Sequence, residues 1–146
     1  MKPIIMASDH GGYELKQQIK THLMYKDYPV IDVGTDSIES VDYPVFVNKA
    51  VELVKKHNTY GIFLCGAGIG ASIAANRHKG IRAGLVQSGQ HGDDLARLAR
   101  EHNNANVLCL GGRFMTELEA IDIVETFLKT EFMGKQHIKR VKMLDN

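Results

Sequence analysis

The sequence predicts an α/β fold, a three-layer αβα Rossmann-like domain on a five-stranded parallel sheet. Three observations predict it. Short apolar runs ending in polar or glycine turns alternate with helical periodicity along all 146 residues. The runs lack the alternation of a half-exposed strand, so both of their faces are expected to be covered. The run Phe63-Leu64-Cys65-Gly66-Ala67-Gly68-Ile69-Gly70-Ala71-Ser72 passes from apolar strand to glycine turn to helix in ten positions. Open parallel sheets keep their ligands at such strand ends.

The elements follow in order. Strands are expected at 3–8, 30–34, 61–65, 82–86 and 105–111, each rich in Ile, Val, Leu or Ala. Residues 13–24 form a helix with Leu15, Ile19 and Leu23 on one face, and helices at 45–56, 69–77 and 93–102 follow the next strands. Pro44 suits the entry to the second of these helices. Helix 116–129 has Thr116 as its N-cap, Glu117 and Glu119 in its first turn and Lys129 in its last. Residues 137–144 form one more short helix. No repeat, low-complexity stretch or linker interrupts the chain, so residues 1–146 are read as a single domain.

Composition narrows the function. With 18 basic and 17 acidic side chains and a formal net charge of +1, no long-range field recruits nucleic acid or an anionic membrane. Two cysteines make no disulfide framework, and no C-x-x-C pair is present for zinc or redox work. The first residues are apolar over too few positions for a signal peptide or a membrane span. A reduced, cytoplasmic protein is expected.

The chemistry gathers at the strand ends. Gly66, Gly68 and Gly70 bring bare backbone N–H groups close to a ligand beside Cys65, and the helix start adds its positive end, so an anion formed there is stabilised and a thiolate favoured. The alternative reading is a small buried cysteine before a tight turn. Asp9-His10-Gly11-Gly12 follows the first strand, Asp42-Tyr43-Pro44 precedes the second helix, His102-Asn103-Asn104 ends the fourth, and Gly111-Gly112-Arg113 closes the last strand. Together they hold a base, acids, hydrogen-bonding groups and an arginine, an enzyme's inventory. Asp9 alone also reads as a turn cap, His102 as a dipole partner with Asn103 or Asn104 as left-handed cap, and Arg113 as a surface charge. The relaxed dinucleotide pattern Gly66-x-Gly68-x-x-Ala71 follows the third strand rather than the first, and the next strand ends without an acid, so a dinucleotide cofactor is not expected. No Gly-Lys-Ser/Thr closes a P-loop.

Several motifs in one order resemble the ribose-5-phosphate isomerase B family, which includes allose- and galactose-6-phosphate isomerases. They are Ser8-Asp9-His10-Gly11-Gly12, Val33-Gly34-Thr35, Val41-Asp42-Tyr43-Pro44, Cys65-Gly66-x-Gly68-x-Gly70, Ser72-Ile73-Ala74-Ala75-Asn76-Arg77, Gly80-Ile81-Arg82-Ala83, Arg100-Glu101-His102-Asn103 and His137-x-x-Arg140-Val141. The resemblance covers essentially the whole chain. It implies an aldose–ketose isomerase of the non-oxidative pentose phosphate pathway, needing neither metal nor cofactor, that interconverts ribose 5-phosphate and ribulose 5-phosphate. It also implies a homodimer, or a tetramer, with sites at the subunit interface and the tail from about residue 130 packed on a partner.

Carried over by position, Cys65 is the base that moves a proton between C2 and C1. The amides of Gly66, Ala67, Gly68, Ile69 and Gly70 hold the enediolate. His102 assists ring opening with Asn103 beside it, Asp9 binds sugar hydroxyls, His10 lies near the phosphate and Tyr43 lines the site. Arg113 and Arg140 pair with phosphate oxygens. Two positions depart from the family pattern: Ala67 stands where Thr is usual, and Gln136 where an arginine is usual, with Lys135 or Lys139 as weaker substitutes. Both departures bear on the substrate. The alternatives are an allose- or galactose-6-phosphate isomerase and a non-catalytic regulator that binds a sugar phosphate or nucleotide.

Overall fold

The computed structural model describes residues 1–146, whose five parallel strands lie in one sheet in the order β2-β1-β3-β5-β4. These are β1 (Ile4–Ser8), β2 (Val30–Asp32), β3 (Gly61–Cys65), β4 (Ala83–Leu85) and β5 (Val107–Gly111). The helices are α1 (Tyr13–Tyr25), α2 (Tyr43–His57), α3 (Ile69–Asn76), α4 (Gly92–Glu101), α5 (Glu117–Lys129) and α6 (His137–Lys142). All five expected strands form. The edge strands β2 and β4 are shorter than their apolar runs, because each has a partner on one side only.

Strand alternation sorts the side chains into two layers. Ile4, Met6, Ile62, Leu64, Leu108 and Leu110 pack beneath Leu15, Ile19 and Leu23 of α1 and Ile123, Val124 and Phe127 of α5. On the opposite face, Ile5, Ala7, Phe63, Cys65, Val107 and Cys109 pack against Val47, Val51 and Val54 of α2 and Ala71 and Ala75 of α3. The three central strands are buried at every position, which explains their unbroken apolar runs.

Local signals start and stop the helices. Thr116 and Glu119 form a reciprocal capping box at α5. Asp42 precedes α2 in extended conformation with Pro44 in its first turn, two positions before the expected start, and left-handed Asn58 ends it. One buried ion supports the β2 end. Lys16 of α1 has no exposed surface, and its Nζ donates to Asp32 Oδ1 and to the Thr35 carbonyl, both at 2.6 Å. No helix is long and apolar enough to cross a membrane.

Candidate active site

β1 sends the chain to β2 on one side, whereas β3 lies on its other side, so the sheet's switch point falls between β1 and β3. The loops after β1, β3 and β5 meet there at backbone contact. A Cβ on Gly112 would stand 2.6 Å from the Gly11 carbonyl oxygen, and one on Gly111 would stand 2.8 Å from the Ala67 carbonyl. Only glycine permits that approach. Gly112 N–H donates to the Cys65 carbonyl at 2.9 Å and Arg113 N–H to the Gly66 carbonyl at 3.0 Å.

Cys65 ends β3 almost wholly buried, at 6% exposure. Its Sγ accepts the Gly68 N–H at 3.2 Å. Gly68, at φ 79°, turns the chain directly into α3. The loop amides and the start of α3 both favour an anion bound beside the sulfur. Cys109, one strand away, has no exposed surface, and burial first, then neighbouring Cys65, pushes its thiol far above the usual range. Of the two free thiols, Cys65 is the one facing the glycine loop.

The remaining groups at this edge are held by backbone. Asp9 Oδ1 accepts from Gly11 N–H at 2.9 Å and Gly12 N–H at 3.2 Å, so the turn-cap reading of Asp9 describes one of its oxygens. Oδ2 has no hydrogen-bond partner within the protein. His10 Nδ1 accepts the Val41 N–H at 3.2 Å, fixing the ring. Tyr43 lies over Gly70, where a Cβ would fall 2.7 Å from its ring. The Arg113 guanidinium spreads over Gly66 and Gly11, with an added Cβ on either meeting it at 3.0–3.3 Å. The sequence signals Arg113 only as a residue after two glycines; its seat over two loops comes from the strand order.

His102, Asn103, Gln136 and Arg140 are not at this edge. α4 ends at Glu101 and β5 starts only at Val107, which pairs with Gly61 at the opposite end of β3 from Cys65. Four strand steps separate the edges, about 13 Å at 3.3 Å per residue. Within one chain His102 therefore stands where the strands begin. There its ring stacks on His137, with centroids 4.3 Å apart. Left-handed Asn104, at φ 49°, closes the turn after α4, as one reading of the asparagine pair expects. The tail holds to its own chain at three points: Met133 N–H to the Glu101 carbonyl, His137 on His102, and Gly80 N–H to both Asp145 carboxylate oxygens at 3.1–3.2 Å. Gln136 and Arg140 remain exposed beside it, as do Ile138, Met143 and Leu144. No group of three or more acidic, His or Cys side chains is arranged to hold a metal ion.

Fold and edge together define a doubly wound α/β protein with a free thiol beside a glycine-rich, amide-lined loop at its switch point. The chain belongs to the ribose/galactose isomerase family, whose pattern it matches over residues 4–144. It is 45% identical over 141 residues to the probable ribose-5-phosphate isomerase B of Mycoplasma genitalium, covering 94% of this chain and 90% of that protein. To ribose-5-phosphate isomerase B of Mycobacterium leprae it is 41% identical over 144 residues, covering 97% and 86%. The solved ribose 5-phosphate isomerase of Thermotoga maritima superposes with a TM-score of 0.94 at 48% identity, covering 99% of this chain and 97% of that one. The Mycoplasma genitalium structure with bound ribulose-5-phosphate superposes at 0.90 and 43% identity, covering 97% and 93%.

Proposed function

We propose that this chain is an aldose–ketose isomerase interconverting ribose 5-phosphate and ribulose 5-phosphate. The observation that carries the reading is the Cys65 thiol receiving the Gly68 N–H at the mouth of the glycine loop. Kinship with proteins named ribose-5-phosphate isomerase B supports the substrate. In the open-chain aldose, the Cys65 thiolate takes the C2 proton, and the C–H electron pair becomes the C1=C2 bond of an enediolate whose charge rests on O1. The Gly66, Ala67, Gly68, Ile69 and Gly70 amides hold that oxygen. Cys65 returns the proton to C1, O2 loses its proton to become the ketone, and O1 gains one.

His102 opens the furanose as the acid, with Asn103 orienting the substrate. Because His102, Asn103, Gln136 and Arg140 stand at the other edge, a second copy of the chain supplies them to each Cys65. The assembly is a homodimer with two composite sites. Arg113 from one subunit and Arg140 from the other clamp the phosphate, with His10 nearby and Gln136 replacing a third cation. Asp9 Oδ2 and Tyr43 face the sugar hydroxyls. The outward Ile138, Met143 and Leu144 give the tail an apolar face for the partner. Two free thiols support a reducing, cytoplasmic location.

The test follows the C2 proton. Purified protein, without added metal, forms ribulose 5-phosphate and exchanges that proton with solvent, whereas Cys65→Ala does neither while keeping its fold. Unchanged exchange in Cys65→Ala overturns the assignment of the base. Because the family name spans ribose and galactose substrates, kcat/KM on ribose, allose and galactose phosphates ranks the pentose against the hexose reading. Tight nucleotide binding without turnover would support the regulator instead.

A further inference from the structure

A cleft of about 490 Å³ opens at the edge where the strands begin, remote from Cys65, and its walls include Lys2, Asn58, Tyr60, Arg82, Arg100 and Asn104. No Asp or Glu lines it. Arg100 is only 4% exposed. Its Nε donates to the Thr130 carbonyl at 3.0 Å, and its Nη1 to Asn104 Oδ1 at 3.0 Å and to the Ala105 carbonyl at 2.7 Å, which leaves Nη2 without a protein partner. Arg82 spends only Nε, on the Asn104 carbonyl at 2.7 Å. Neither arginine forms an ion pair; Asp145 acts on Arg82, and Glu131 on Arg100, only through longer-range attraction.

A buried Arg100 beside a half-buried Arg82, with no carboxylate on either and only the Tyr60 ring at 4.7 Å and the Phe127 ring at 5.8 Å facing the Arg100 charge, is unusual, because buried charge is ordinarily paired. We propose that this cleft is a second ligand site, separate from the Cys65 edge, that takes a small phosphate monoester. The unspent guanidinium N–H groups of Arg82 and Arg100 match phosphate oxygens in number and planarity, and the Lys2 ammonium adds charge at the rim. The Asn58 carboxamide and the Tyr28 and Tyr60 hydroxyls, which bond to nothing in the protein, face the hydroxyl-bearing body of the ester. The volume lies within the range of small-molecule pockets. Both arginines grip Asn104, two residues beyond His102, so the ligand sits against the turn that presents the ring-opening acid.

The test is a titration of ¹⁵N-labelled protein with inorganic phosphate and, separately, glycerol 3-phosphate. Saturable shifts are expected at the Asn104, Ala105 and Asn106 amides and the Arg82 and Arg100 Nε–H signals, with the ester binding more tightly than the free ion. Arg82→Gln should weaken the ester at least about tenfold, while Arg82→Lys, which keeps the charge, retains part of the affinity. Arg113→Ala, which strips the catalytic edge, should leave these shifts in place. Shifts confined to Gly66, Gly68, Gly70 and Arg113, equal binding of ion and ester, an undiminished Arg82→Gln response, or no saturation by about 20 mM overturns the proposal.

Discussion

The imidazoles of His102 and His137 lie face to face, 4.3 Å between centroids and 16° from parallel. The contact joins the turn after α4 to the start of α6. It is therefore one of the three contacts that set the tail, with Gln136 and Arg140, relative to the rest of its chain. His137 is 8% exposed and its Nε2 has no partner.

Burial first, then the charges of His102 and Arg140, push the His137 pKa below the ordinary 6.5 of an unfolded histidine. The unfolded chain thus binds more protons near that pH, and stability rises with pH across the interval. Acidification below about 6.5 should lower the denaturation midpoint until the folded-state pKa is passed, with no further loss from this group. His137→Gln, which cannot charge, flattens that part of the profile. Urea melts of both proteins between pH 5 and 8 check it, and identical slopes would remove His137 as the cause.

The two thiols should react differently. Cys109 is enclosed and its thiol is held protonated by burial, whereas Cys65 lies at the end of β3 beside the Gly68 amide and the glycine loop. A colorimetric thiol reagent should titrate one group in the native protein and two after denaturation. Labelling of Cys65 should abolish turnover, and Cys109→Ala should leave the native reaction in place. Native labelling at Cys109 would contradict its enclosure.

Much of the fold is legible in the residues. The unbroken apolar runs of β1, β3 and β5 record burial on both faces, and Thr116 with Glu119 marks the start of α5 by capping chemistry alone. The Cys65 loop is equally plain, because glycine spacing reports a backbone approach that nothing else permits. What stays hidden depends on distance through space. His102 reads as the end of the fourth helix and is grouped with the polar residues at the strand ends, yet helix direction sends it to the far edge. His137 carries no local sign of its stacking partner, which stands 35 positions away in the chain. Arg82 and Arg100 look like ordinary helix-end and strand-start charges until the fold closes a cleft around them.

Lys16 and Asp32 form the most enclosed ion pair, with 0% and 13% of their side chains exposed. Asp32→Ala would leave the ammonium with the Thr35 carbonyl as its one bonded partner, an uncompensated buried charge that costs about 3–5 kcal/mol. Lys16→Met should be milder, because the new side chain fills the space and Asp32 keeps Lys20 at 3.3 Å and the Gly34 amide at 2.9 Å. Chemical denaturation of the two variants gives the order. Equal losses would mean that packing, not charge, dominates at this position.

Gly112→Ala tests the close contact between the β1 and β5 loops. The new methyl would lie 2.6 Å from the Gly11 carbonyl oxygen, so the loops must separate and carry Arg113 off Gly66. A stability loss of about 1–3 kcal/mol is expected from overpacking. A higher KM for the sugar phosphate should accompany it, since Arg113 would leave the position from which it is proposed to bind the phosphate. Loss of stability with KM unchanged would place Arg113 outside substrate binding.

The proposed composite sites make a quantitative prediction about mixed assemblies. Cys65→Ala and His102→Ala are each expected to be inactive, the first lacking the proposed base and the second the proposed ring-opening acid. If each site draws Cys65 from one subunit and His102 from the other, a mixed dimer contains one site with both defects and one with neither. Unfolding the two variants together and refolding them in equal amounts makes half of the dimers mixed, so about a quarter of wild-type activity returns. His102 at the amino-terminal edge and Cys65 at the carboxyl edge of the same sheet are what require this recovery. Activity that stays at zero in the refolded mixture, while each variant alone refolds to a native spectrum, would show that His102 and Cys65 do not meet across an interface.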